Sequence, residues 1–347
     1  MTPLVSIVLT SYDAERLAYI LALLDDVRRQ TYPNIETIFV VEKSPLLFDE
    51  INKYLETTNV PNVVVVFNPL QKGASFARNL GIEKARGDIL AMIDDDVVLL
   101  PNWAEEMVKT YEDDSVIGVT GAILPLWEDE SMDWIPEEFD WIFSCARWLG
   151  KTKKQVRNVN GPNSSFRREA FDLAGPYNVG FGPSKASNVS EWSSLGEEAE
   201  LSLRVCMKTG KRIVYNPEMK VFHRVGRKKL SWNFIVQRSY QVGRTRRVVS
   251  RFFGMLAEEK NVLTTEQDLL KRIIARVFPQ IAREAINRPA IAWRKLTITV
   301  VSTLFVFLGY CSGTKSESLK QRNSYPRALK QELLNHCHLV NPKMVFD

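Results

Sequence analysis

The chain has 347 residues, of which 45% are hydrophobic and 25% charged; this excludes a disordered protein and allows one large core with an appendage. The formal net charge of +5 is mild, but it is unevenly placed: between Arg204 and Ala257 fourteen Lys and Arg residues face a single acid, Glu218. Such a block points to anionic phosphates or an anionic surface, with a solvated helix face as the alternative.

In chain order, "PLVSIVLTSY" has no basic n-region and reads as a strand, so no signal peptide is expected. "LVSIVLT" is a β-branched run, "AERLAYILALLDDVRRQ" an amphipathic helix, "IETIFVV" a second strand and "PNVVVVF" a third. "SFARNLGIEKAR" reads as a helix and "DILAMI" as a fourth strand. Strands with little polar interruption, separated by helices, predict an α/β fold with a parallel sheet covered on both faces. Ligands of such sheets sit beyond the carboxyl ends of the strands. That edge receives "TSY" after the first strand and the triple acid Asp94, Asp95 and Asp96 after the fourth. Three adjacent carboxylates repel one another, and an oxygen-rich cluster at a ligand crevice suits Mg²⁺ or Mn²⁺ with substrate phosphates; an Asp run in a loop is the alternative.

Further on, Trp127, Trp134, Trp141 and Trp148 recur every seven residues, a spacing that suits a helix stripe packed on the core, with sugar-stacking faces as the alternative. "GEEAEL" opens an amphipathic helix at Glu197. Past the basic block, "LLKRIIARVFPQIAREAINRPAIAWRK" alternates apolar and basic residues as interfacial helices do. "LTITVVSTLFVFLGYC" (296–311) is uncharged and near the lower length for crossing a bilayer, so membrane attachment is expected, and a buried core helix is the competing reading. The four cysteines have no CxxC pairing, which argues against a disulfide framework or zinc cluster and suits a reducing compartment. His336, Cys337 and His338 are too close together to close a metal site and read as surface tail.

"VSIVLTSYDAERLAYILALLDDVRRQTYPNIETIFVV", "GASFARNLGIEKARGDILAMIDDDVVLLPNW" and "GEEAELSLR" together resemble the inverting family 2 glycosyltransferases, over approximately residues 3–224. "WIPEEFDWIFSCARWLG", "NVNGPNSSFRREAF", "GKRIVYNPEMKVFHRV" and the apolar C-terminal region resemble, within that group, archaeal dolichyl-phosphate-linked glycosyltransferases. The resemblance implies the GT-A fold in residues 1–228, followed by basic amphipathic helices at a membrane interface (229–295), an apolar helix as membrane anchor (296–312) and a polar tail (313–347). It implies a nucleotide-sugar donor, UDP- or GDP-linked, a divalent ion (Mn²⁺ or Mg²⁺) and a lipid-linked saccharide as acceptor. It also implies a membrane-associated protein with its active site on the cytoplasmic face and a place in N-glycosylation or surface glycan assembly. No nucleic acid partner is expected. Sequons at Asn163 and Asn188 would stay unmodified on that face.

Residue by residue, the resemblance places the metal at Asp96, with Asp94 or Asp95 reaching its waters or the ribose. Thr10, Ser11 and Tyr12 fall where the family contacts the nucleotide, Tyr12 either stacking on a base or packing a loop. Glu42 is all that "VVEKS" keeps of the family's acidic pair, which leaves the base unread. Lys72 and Arg78 approach the donor, although Arg78 could simply tie its loop to the triple acid. Glu198 matches the family's catalytic acid, where Asp is commoner; its carboxylate would accept the proton of the attacking hydroxyl. Glu197 adjoins the acceptor or sugar pocket, and with Glu200 it also reads as charge at a helix start. His223 matches a third ligand to the metal or diphosphate, with a structural histidine as the alternative. Asn163 matches the acceptor or donor-sugar pocket, with a capping role as the alternative.

A base at Glu198 favours a sugar hydroxyl over bare polyprenyl phosphate, which is already ionised and would be repelled. The basic block would then hold the lipid's phosphate or membrane headgroups. A nucleotidyltransferase would need a glycine-rich basic loop that "TSYDAERL" lacks. A non-catalytic polyanion-binding membrane protein would leave both acid clusters without a purpose.

Overall fold

The computed structural model describes residues 2–58, 60–70, 72–181, 196–257 and 264–312. Asn188, His336, Cys337, His338 and the tail 313–347 lie outside them. Four parallel strands come first: β1 (Val5–Ser11), β2 (Ile35–Glu42), β3 (Val63–Asn68) and β4 (Ile89–Asp94), connected through helices α1 (Leu17–Arg28), α2 (Pro45–Thr57) and α3 (Ala74–Lys84). Every residue of β2 is buried, as expected of a strand covered on both faces. The reading of strands along the sequence passed over α2. Its local signals are a Ser44 hydroxyl accepting from the Leu47 amide (3.3 Å) and a proline at the first helical position.

The remaining elements are β5 (Val97–Leu99), α4 (Trp103–Thr110), β6 (Val116–Trp127), β7 (Lys154–Val156), β8 (Ser164–Arg167), α5 (Arg168–Ala174), α6 (Glu197–Thr209) and β9 (Arg212–Val225). The sheet runs β3-β2-β1-β4-β8-β6-β9-β5, with β7 added on β9. β8 is antiparallel to both β4 and β6, so the parallel character of the first four strands gives way to a mixed sheet. Between β6 and β7 the chain forms three short 3₁₀ turns, Glu130–Met132, Glu137–Phe143 and Arg147–Leu149. The seven-residue tryptophan spacing is therefore not a helix stripe. Trp127, Trp134, Trp141 and Trp148 each pack separately against the main core.

Helices α7 (Trp232–Ala257), α8 (Thr264–Arg272), α9 (Phe278–Asn287) and α10 (Pro289–Ser312) complete the described chain. A Cβ on Gly243 would collide with the Val306 carbonyl oxygen, and one on Gly309 with that of Tyr240. α7 and α10 thus meet backbone to backbone, an approach that only glycine permits. Among the described residues α10 is the one helix long and apolar enough to cross a membrane, yet only 28% of its apolar window is buried. Trp293, Val300, Leu304 and Phe307 on α10 stand exposed, as do Leu270 on α8 and Phe278 and Ile286 on α9. α10 is not a core helix.

Candidate active site

Register brings the first set of residues together. Thr10 of β1 pairs with Asp94 of β4, and Ser11 pairs with Val41 of β2, so Glu42 follows at the same edge. Thr10, Ser11, Tyr12, Glu42, Asp94 and Asp95 all line one cavity of about 790 Å³. Tyr12 is 45% exposed. Glu42 is buried and accepts from Asn68 Nδ2 at 3.1 Å; burial pushes its pKa up.

The apolar run after the triple acid supplies the next part. It forms β5, antiparallel to β9, with Val97 opposite His223 and the Arg224 amide donating to the Asp96 carbonyl at 2.9 Å. His223 is thereby carried next to Asp96, Nε2 to Oδ1 at 3.1 Å. Ligand atoms of Asp94, Asp96 and His223 lie within 4.8 Å of one another. Asp96 Oδ1 is buried and receives no hydrogen bond, although the imidazole nitrogen is so close. The close approach of these carboxylate and imidazole groups fits a shared divalent cation.

Cations surround the acids. Arg16, on the turn after β1, contacts Asp95 and reaches Asp96 Oδ2 at 3.2 Å, while Lys229 Nζ stands 3.5 Å from the same oxygen. Burial opposes the charge on Asp96, but His223, Lys229 and Arg16 hold its carboxyl below the usual carboxylate range. Asp95 is lifted to about 6, because burial outweighs the help of Arg16. Neither Arg16 nor Lys229 was singled out in the sequence, since nothing local marks a cation as the partner of an acid far along the chain.

The second acid cluster is joined to the first through Arg78 of α3. Its guanidinium lies 3.2 Å from Asp94, 3.2 Å from Glu197 and 3.1 Å from Glu198. The sequence left open whether Arg78 serves the donor or ties its loop to the triple acid; the structure shows that it bridges both acid clusters. Glu197 and Glu198 open α6, and both line the cavity. Burial and the neighbouring Glu198 charge raise the pKa of Glu197, against the pull of Arg78, so the two carboxylates together take up a proton more readily than isolated ones. Gly161, in the loop before β8, lies against Glu198: a Cβ there would strike Glu198 Oε1.

Three residues read from the sequence stand elsewhere. Asn163 does not line the cavity. It is fully buried, accepts from Trp103 Nε1 at 2.9 Å and donates to the carbonyls of Met219 (2.7 Å) and Ala122 (3.3 Å). It fills the irregularity where the β6–β9 register shifts between Gly121 and Ile123, and every polar atom of its side chain is spent on the protein. This corrects both the pocket and the capping readings. Lys72 lies over the Phe76 ring, 4.7 Å from its centroid, and not in the cavity wall. Glu200 is no solvated helix-start charge: it is buried and paired with Arg204 at 2.7 Å.

The basic block is not one uniform face. Arg204 pairs with Glu200, Lys211 with Glu169 (2.7 Å) and Arg246 with Glu266 of α8 (2.6 Å). Arg157 joins Glu266 bidentately, at 2.7 and 3.2 Å. Arg238, Val242, Thr245 and Arg246 of α7 line the cavity together with Leu269 and Ile273 and, from α10, Thr303, Val306, Phe307 and Tyr310. One chamber therefore runs from the triple acid past Glu198 to an apolar wall.

An α/β sheet with a carboxylate and imidazole cluster at its carboxyl edge is consistent with the GT-A fold, and comparison with known proteins agrees on the fold. Residues 6–173 match the model of the family described as glycosyl transferase family 2. A glucosyl-dolichyl phosphate glucuronosyltransferase of Haloferax volcanii is 29% identical over 323 residues, covering 92% of this chain and 99% of that protein. A mannosyltransferase from Pyrobaculum calidifontis, solved in complex with GDP-Man and Mn²⁺, superposes with a TM-score of 0.56 at 13% identity, over 98% of this chain and 87% of that one. GalNAc-T7, solved with UDP, GalNAc and Mn²⁺, gives 0.50 at 19% identity, over 70% and 48%. At these identities the two structures speak for the fold alone. The chain is similar to the family 2 glycosyltransferases over residues 6–173 and to one named member over nearly its whole length.

Proposed function

We propose that this enzyme transfers a sugar, with inversion, from a nucleoside diphosphate sugar to a hydroxyl of a lipid-linked saccharide of the dolichyl phosphate type. The observation that carries this reading is the single chamber lined by Asp94, behind which Asp96 and His223 complete a candidate metal-ligand cluster, by Glu198, and by apolar side chains of the C-terminal helices. The full-length similarity to a protein named for glucosyl-dolichyl phosphate supports it.

Asp94, Asp96 and His223 would hold Mn²⁺ or Mg²⁺, which when bound supplies positive charge against the departing diphosphate. Thr10, Ser11, Tyr12, Glu42 and Asp95 bind and orient the nucleotide. Glu198 accepts the proton of the attacking hydroxyl. Glu197, beside Glu198 in the cavity wall, adjoins the sugar pocket. Arg78 holds Glu198 in place relative to Asp94, so that base and leaving group keep opposite sides of the anomeric carbon. The exposed apolar residues of α8, α9 and α10 rest on the membrane, the cavity opening on the cytoplasmic face, where nucleotide sugars are made. The product would feed N-glycosylation or surface glycan assembly.

The test is purified full-length protein in detergent, with Mn²⁺ or Mg²⁺ and a panel of UDP- and GDP-sugars. Polyprenyl phosphate and glycosylated polyprenyl phosphate serve as rival acceptors, and the product anomer is read by NMR. Transfer to the glycosylated lipid with inverted configuration is expected. Efficient transfer to bare polyprenyl phosphate, or retention of configuration, would overturn the reading.

A further inference from the structure

Arg238 differs from every other cation of the chamber. Arg16, Arg78, Arg157 and Arg246, which line it too, each lie within ion-pair distance of a carboxylate. Arg238 reaches none among the described residues: its Nη2 donates to Ser144 Oγ at 3.3 Å, and its buried Nε has no partner. Arg238 lines the same cavity wall as Glu197, Glu198 and Asp94; burial pulls its pKa down, while the charges of those three acids support its protonation. A guanidinium carries five donors in a planar fork suited to phosphate. Most of these five are unspent on the protein.

Its place on α7 narrows what it receives. Beyond Arg238 the cavity wall turns apolar, through Val242, Leu269, Ile273, Val306 and Phe307. Arg246 lies about 12 Å further along the helix at 1.5 Å per residue, and Glu266 already answers its charge. The donor side has its own cations in Arg16 and Lys229 and its own metal ligands. An unanswered guanidinium at the boundary between a polar reaction chamber and an apolar wall matches the one charged point of an amphipathic acceptor. We propose that Arg238, seconded by the Ser144 hydroxyl, binds the phosphate that joins the acceptor's saccharide to its lipid. This rests on the reading of the acceptor as a lipid-linked saccharide. It makes Arg238 the residue that distinguishes a phosphate-linked acceptor from an uncharged glycolipid.

The experiment uses full-length protein in detergent and two acceptors with the same sugar and alkyl chain, one joined through a phosphodiester and the other through an uncharged ether. Wild type should favour the phosphodiester in kcat/KM by roughly ten- to hundredfold, the range of a charge-assisted contact. Arg238→Gln should reduce that preference to about threefold or less, through the KM of the phosphodiester acceptor. Arg238→Lys should keep part of it. Equal use of both acceptors by wild type would overturn the proposal without any variant. A raised donor KM in Arg238→Gln with the preference intact would assign the contact to the donor's diphosphate and overturn it too. A wild type that transfers to neither acceptor fails the parent reading; one that transfers equally to both fails only the role of Arg238.

Discussion

On the sheet side of the chamber charges answer one another: Arg16 and Lys229 face Asp96, and Arg78 joins Asp94 to Glu197 and Glu198. On the helix side apolar residues join the Arg157–Glu266–Arg246 ion pairs and, among the described residues, Arg238 stands without a carboxylate. The sheet side is positioned by strand register, which is specified residue by residue. The helix side is positioned by the close crossing of α7 and α10 at Gly243 and Gly309. Unpaired carboxylates in a buried site would be costly, so the donor half carries its own counter-charges. On the proposed reading, the helix half receives the acceptor and leaves one charge for a substrate that brings the opposite one.

The largest break in this contrast falls on the sheet side. Asp96→Asn removes one of three converging ligands, and turnover should be abolished, with Mn²⁺-dependent binding of the nucleoside diphosphate weakened in calorimetry while circular dichroism stays that of the native fold. Unchanged turnover at saturating donor and metal would remove Asp96 from the site. Glu198→Gln comes next. It keeps size and hydrogen-bonding capacity but loses the basic oxygen, and kcat should fall by about 10²–10⁴, the usual loss for a general base. Donor affinity should move little. Retained turnover would point to another base and reopen direct transfer to polyprenyl phosphate.

The helix side should break differently. Gly243→Leu forces a side chain where α7 touches the Val306 carbonyl, and overpacking of this kind costs about 1–3 kcal/mol. Transfer to the lipid acceptor should drop several-fold more than metal-dependent hydrolysis of the donor, because the sheet edge is untouched. Equal loss of both reactions would show that the two halves are not separable. A last test concerns Glu197. Its carboxyl is raised to about 8 in the folded protein from the ordinary 4.5, so between those values only the folded form keeps the proton. Stability conferred by that proton is full below pH 4.5 and is lost as pH rises through 8. Glu197→Gln removes this slope, and the melting temperature of the variant relative to wild type should climb from pH 5 to pH 8. A difference that does not change with pH would mean that Glu197 is ionised in the native state.

What could be read along the chain was whatever short-range pattern decides. The apolar runs of β1, β2 and β4 announce a covered parallel sheet, and a strand's carboxyl end is fixed once the strand is recognised. Asp94, Asp95, Asp96, Thr10 and Ser11 were therefore legible as one edge, and α6 showed Glu198 through the helix that follows it. The apolar character of 296–311 was equally plain. Tertiary structure alone decided which distant groups meet those residues. His223 reaches Asp96 because β5 folds back on β9, a pairing that no periodicity encodes. Asn163 looked like a pocket residue but is consumed by a register shift between two strands far from it in sequence. Four evenly spaced tryptophans suggested a helix, and the chain there bends through 3₁₀ turns instead. The basic block, uniform as a string of letters, separates into paired and unpaired members only when Glu200, Glu169 and Glu266 are brought to it by packing. Charge along a chain is a sum over neighbours in sequence, whereas its chemistry depends on neighbours in space, and in this protein those sit at the two ends of one cavity.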